Sequence, residues 1–158
     1  MKNVSGFSLI EVLAAMTIVM TLSFIGIPSY KNYMLKGKVM EALTVAEPIK
    51  LLVANELMHG SSQATLNNTA LHLAPWERPA HSVITDIQIV AGVIQISLDV
   101  ANFGVAEANA ASTLSLHFTP HISVNDLLNW NCSAHTSLVD ADKFLPKVCP
   151  IATRANTD

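Results

Sequence analysis

A chain of 158 residues and 17.0 kDa has room for one small domain. Its hydrophobic share of 51% and mean hydropathy of +0.40 are high for a soluble globule. Its net charge of −3 supplies no basic surplus for holding nucleic acid.

The apolar surplus is concentrated at the start, MKNVSGFSLIEVLAAMTIVMTLSFIGIP. Positions 12–30 carry no charged side chain, enough to cross a hydrocarbon core of about 30 Å as a helix. Glu11 stands at the head of that run. A carboxylate at mid-membrane depth costs about 2.5–3.5 kcal/mol even on insertion scales. It therefore needs a partner, or a depth shallow enough to reach the interface. A secretory signal fits poorly, because the run exceeds the usual core of about 7–15 residues and no small-residue cleavage site closes it. A plain signal anchor leaves Glu11 without a role.

Beyond Pro28, the apolar positions Val39, Leu43, Ala46, Ile49, Val53 and Leu57 recur at steps of three and four. That spacing predicts an amphipathic helix, stopped by Gly60. Joined to the anchor, it makes one helix of about 53 residues and about 80 Å. Pro48 is expected to bend it. The stripe is expected to pack on a core.

Residues 60–82 are polar and proline-bearing, predicting a long surface loop. SVITDIQIVAGVIQISLDV predicts a β-hairpin, with alternating Ile87, Ile89, Ile94, Ile96 and Leu98 and a turn at Ala91 and Gly92. TLSLHF predicts a third strand with Leu114, Leu116 and Phe118 on one side, and LLNWNC a fourth. Four antiparallel strands covering the helix stripe make a small α+β head. Cys132 and Cys149 would be idle thiols in a cytosolic chain and a disulfide in an exported one, and the apolar segment favours export.

Other chemistry finds little support. The histidines, His59, His72, His81, His117, His121 and His135, show no metal motif with the cysteines. Asp140 and Asp142 supply only half of a calcium loop. There is no nucleophile elbow and no phosphate loop. We expect no enzyme activity, no cofactor and no metal. Lys50, Arg78, Lys143, Lys147 and Arg154 are too few to support DNA binding by the head.

Two stretches carry a resemblance. GFSLIE, with Gly6, Phe7 and Glu11, followed by Pro28, resembles the processing motif of type IV prepilins and pseudopilins. WNCSAHTSLVDADKFLPKVC, with Trp130 and Cys132 opening it and Leu145, Pro146 and Cys149 closing it, resembles the C-terminal disulfide loop of type IVa pilins. The resemblance implies a leader at 1–6 cut by a dedicated peptidase between Gly6 and Phe7, and N-methylation of the new terminal Phe7. It implies a transmembrane and polymerisation helix at 7–30, and a head at 31–158 with a disulfide loop at 132–149. It further implies that Glu11 serves filament assembly and that the helix kinks or melts at Gly26 and Pro28. Many pilins carry a glycine where this chain has Met20, so the melted stretch is expected to be short.

The implied partners are further copies in a helical filament, the prepilin peptidase and methylase, and the inner-membrane assembly machinery. The implied location is the inner membrane, single-pass with the head in the periplasm, and then an extracellular pilus. The implied uses are adhesion, twitching motility or DNA uptake. A minor pilin or a type II secretion pseudopilin is the alternative within the class. A monomeric membrane-anchored binding module is the alternative outside it.

Overall fold

The computed structural model describes residue 6 and residues 8–77, 82–100, 112–123, 125, 127–138 and 141–152, leaving aside the side chains at positions 28, 29, 31 and 32. One helix, α1, runs over Leu9–Met58, and the strands β1 (Ile84–Val90), β2 (Val93–Leu98), β3 (Leu114–Ile122) and β4 (Leu128–Thr136) follow it. The strands form one antiparallel sheet in the order β1-β2-β3-β4. The predicted α+β head with four antiparallel strands is therefore present, and its strands follow one another as a meander.

Helix α1 continues through both Pro28 and Pro48. Each proline leaves one carbonyl of the preceding turn without its usual N–H. The second half buries Leu35, Val39, Ala42, Ala46 and Val53, again at steps of three and four, except across the half-buried Ile49. Leu43 and Leu57 flank this stripe half-buried. Small Ala42 and Ala46 let the helix lie close to the sheet. The sheet answers with Ile87, Ile89, Ile94, Ile96, Leu98, Leu114, Leu116 and Phe118, all buried. These are the alternating positions that a period of two sends to one face. Burying each large side chain contributes about 1.5–3 kcal/mol.

The β1–β2 turn is tight. Ala91 has φ 49° and Gly92 φ 71°, the pair of positive angles of a type I′ turn. A Cβ on Gly92 would lie 2.7 Å from Gln63 Cγ, so the position excludes a side chain on both counts. Gly92 N–H also donates to the Leu66 carbonyl at 3.0 Å, which ties the turn to the loop after α1.

Two strands are longer than expected. β3 runs on through Pro120 to Ile122. Its pairing with β2 ends at Phe118, so the missing N–H of Pro120 falls where no strand lies on that side. β4 continues past Cys132 to Thr136, well into the predicted disulfide loop, because the small residues Cys132 and Ala134 keep the inward alternation.

Candidate polymerisation surface

No described residue buries the first half of α1. Leu9–Ile27 is a 19-residue stretch of mean hydropathy 2.1, none of it buried. Phe24 is 85% exposed and Leu9 77%. Contiguous exposed apolar surface on this scale marks an interaction site or a membrane segment. Its hydroxyls are already satisfied within the helix. Thr17 Oγ1 donates to the Ala14 carbonyl at 2.7 Å, Thr21 Oγ1 to Ile18 and Ser23 Oγ to Val19, both at 2.8 Å. A helix with internally bonded polar groups can enter hydrocarbon or a dry helix bundle.

Glu11 is the exception. It sits in the first turn of α1, exposed, where the helix dipole favours a negative charge. Its backbone N–H bonds the Ser8 carbonyl at 3.0 Å, but its carboxylate has no partner among the described residues. Gly6 is exposed, with open space around it. Phe7 lies outside the described residues. Gly26 has nothing within 4 Å of where a Cβ would stand, so packing within the subunit does not require a glycine there. Of Pro28 the structure gives the helical backbone.

The head covers part of the surface that a sheet normally leaves open. An edge strand offers a row of unpaired N–H and C=O groups to any other chain. At the β1 edge, Asn68 uses its side-chain amide as a substitute strand. Its Nδ2 donates to the Ile87 carbonyl at 3.1 Å, and its Oδ1 accepts from the Ile89 N–H. Trp76 Nε1–H takes the Ile84 carbonyl at 3.4 Å. The segment predicted as a polar loop is therefore a strap over the edge. At the β4 edge, Ala134 donates to the Pro150 carbonyl and accepts from Ala152 N–H, both at 2.8 Å, around a parallel bridge to Ile151.

The disulfide holds that second closure. Cys132 on β4 is bonded to Cys149, one residue before the closing segment, with Cα atoms 4.6 Å apart. Phe144 and Leu145, buried inside the loop, pack it down. Lys50 caps the neighbouring surface, bonded to Glu47 at 2.8 Å and standing 4.5 Å over the Phe118 ring. One of the few basic groups of the head is thus already engaged.

The β3–β4 register pairs Ser115 with His135 and His117 with Ser133, which makes the histidines diagonal neighbours. Their rings stack at 4.1 Å. Burial, and then the nearby His135, hold the His117 pKa below its ordinary value of 6.5. Separation along the chain hid this pair; only the strand register reveals it. Asn68 gave no local signal either. Among the described residues no cluster of three or more His, Cys, Asp or Glu could hold a metal.

The molecule is thus a small α+β head, its sheet edges covered at β1 and at one point of β4, carried on a long helix whose apolar half is left to a membrane or to other chains. Comparison with known proteins gives the family. The model of the pilin family, subunits of a bacterial filament, matches residues 36–150, and the prokaryotic N-terminal methylation motif matches residues 1–27. The chain belongs to the pilin family and is a type IV pilin, a structural subunit of a pilus. It is similar to the fimbrial protein EcpC of Eikenella corrodens, 28% identical over 91% of this chain and 89% of the relative. It is similar to the type IV major pilin protein PilE1 of Neisseria gonorrhoeae, 24% identical over 91% of this chain and 92% of the relative. A shorter match, 31% identical over 41% of each chain, is to the type IV major fimbrial protein FimA of Dichelobacter nodosus. Family and motif together imply a membrane-anchored precursor that is processed and assembled into an extracellular filament.

Proposed function

We propose that this chain is a major pilin of the type IVa branch. In its precursor, residues 1–6 are the leader, 7–30 the membrane and polymerisation helix, and 31–158 the head. The peptidase cuts between Gly6 and Phe7, and the new Phe7 amine is methylated. The precursor spans the inner membrane once with its head in the periplasm, and the assembly machinery draws it into the filament.

The observation that carries this reading is a carboxylate without a partner among the described residues, at the start of an apolar helix whose stretch Leu9–Ile27 is unburied. Cleavage would create a positive amine on Phe7, one turn from Glu11. In the membrane the two charges of one subunit partly neutralise each other. In the filament Glu11 meets the amine of a neighbour. A buried charge left alone is costly and a paired one much less so, so the pair sets subunit register. Gly26 and Pro28 weaken the helix between anchor and head, and this stretch melts as subunits pack.

The names of the relatives support a major pilin over a minor pilin or pseudopilin. The filament serves adhesion, twitching motility or DNA uptake. Mass spectrometry of filaments sheared from the cell surface tests the whole reading. The expected result is an abundant chain that begins at methylated Phe7. An uncut chain, or a start beyond Ala15, would refute it.

A further inference from the structure

The outer face of the sheet carries a pair of side chains that neither the helix nor the edge covers use. Along β3 and β4 the inward positions Leu116, Phe118, Cys132 and Ala134 are buried. The residues between them point the other way, so His117 and His135 stand on the outer face, the first half-buried and the second exposed. The two nine-residue strands that carry them pair along their whole length, and the Cys132–Cys149 bond anchors β4 beside the pair. The ring centres lie 4.1 Å apart and the planes 29° from parallel. His117 Nε2 lies 3.2 Å from Ser115 Oγ, and His135 Nε2 lies 3.5 Å from Ser133 Oγ. Each serine is also the cross-strand partner of the other histidine. Neither Nδ1 has a partner among the described residues.

Two imidazoles brought together on a rigid sheet, with hydroxyls as their only close polar company among the described residues, form a chelate for a metal ion. We propose that His117 and His135 together bind a divalent transition-metal ion of the imidazole-preferring kind, Cu²⁺ above all. Two imidazoles sharing an ion at bonds of about 2 Å hold their ring centres about 5 Å apart. The stack has to open by only about 1 Å to reach that separation. The last torsion of a histidine is broad, so the rings can turn without disturbing the strands. A ligand must be an unprotonated imidazole, and the lowered His117 pKa keeps that ring neutral near neutral pH. The donor set selects the ion. Ca²⁺ and Mg²⁺ need several oxygen ligands, while the cross-strand neighbours here are Gln95, Ser115 and Ser133. Both cysteines are held in the disulfide, so no thiolate competes for the ion. Among the divalent ions that imidazole suits, Cu²⁺ binds most tightly. Two protein ligands leave the remaining positions to water or to a donor from another molecule.

The test titrates Cu²⁺ into the detergent-solubilised full-length subunit in a non-coordinating buffer at neutral pH. Calorimetry follows the affinity and electron paramagnetic resonance follows the ligands. We expect one ion per subunit and a spectrum coupled to two imidazole nitrogens. His117→Gln and His135→Gln should each weaken binding by at least about tenfold, because a chelate loses one of its two linked donors. His121→Gln, a lone exposed imidazole further along β3, should leave it unchanged. Excess Ca²⁺ should not displace the ion. A spectrum without two imidazole nitrogens would overturn the proposal on the wild type alone, whatever the variants do. So would undiminished binding by either pair variant, or displacement by Ca²⁺.

Discussion

The two halves of this molecule treat exposed binding potential in opposite ways. A sheet of four strands has two edges that invite further strands; here the Asn68 amide covers the middle of β1, and the bridge at Ile151 covers β4 at Ala134. The helix Leu9–Ile27 offers a far larger apolar surface, and nothing in the subunit covers it. A filament subunit needs one mode of self-association and must suppress the rest. Covering the edges removes a competing mode of association from the head and leaves the helix as the large uncovered surface.

The contrast can be broken most forcefully at the disulfide. Replacing both Cys132 and Cys149 by Ser opens a loop of about 16 residues and should remove roughly 3 kcal/mol. It also releases the segment that closes β4. Thermal unfolding of the detergent-solubilised subunit should shift down, and the amide protons of Ala134 and Ala152 should exchange much faster. If those two amides stay protected in the variant, the disulfide does not hold the edge closed.

The β1 edge is the next target. Asn68→Ala leaves the Ile87 carbonyl and Ile89 N–H without a partner, at about 1–3 kcal/mol for buried groups so orphaned. Purified variant should also associate through its sheet on storage, giving β-rich aggregates in place of dispersed subunits. Asn67→Ala, which loses only a turn bond, is the control. Equal behaviour of the two variants would show that Asn68 is an ordinary loop residue.

The smallest effect sharpens the description of the head. Because the His117 pKa is lowered in the folded state, that state binds its proton less readily than the unfolded chain does. The stability is thus fully present above the ordinary value of 6.5 and is lost as pH falls through the folded pKa. Among the described residues, stacked His135 is the ring it faces; Ser115 and Gln95 beside it carry no charge. The melting temperature should fall on acidification below that value, and less steeply in His117→Gln. Parallel pH profiles for the two proteins would contradict this.

Much of the fold was legible because its signals are periodic. The helix stripe, the alternating isoleucines and the Ala91-Gly92 turn each follow from spacing and local φ preference. The cysteine pair became legible as a disulfide through the apolar segment and the W-x-C and L-P-x-x-C resemblance. The edge closures were not legible. Asn68 acts on β1 across a long loop, and its neighbours in sequence look like any polar turn. The extent of β4 was hidden because Ser133 and His135 resemble loop residues until paired with β3. The roles of Gly6, Phe7 and Glu11 rest on motif, since a subunit alone contains neither the cut terminus nor the neighbour.

The central claim is that the uncovered helix, with its single carboxylate, is the surface through which copies join. Glu11→Ala tests it most directly, with surface filaments counted by electron microscopy and the membrane pool of subunit measured by immunoblot. Removing the carboxylate eases insertion and leaves the head untouched, so the pool should match the wild type. Filaments should be absent or rare, because the neighbour's amine is left unpaired in an apolar core. Wild-type numbers of filaments from the variant would contradict the account.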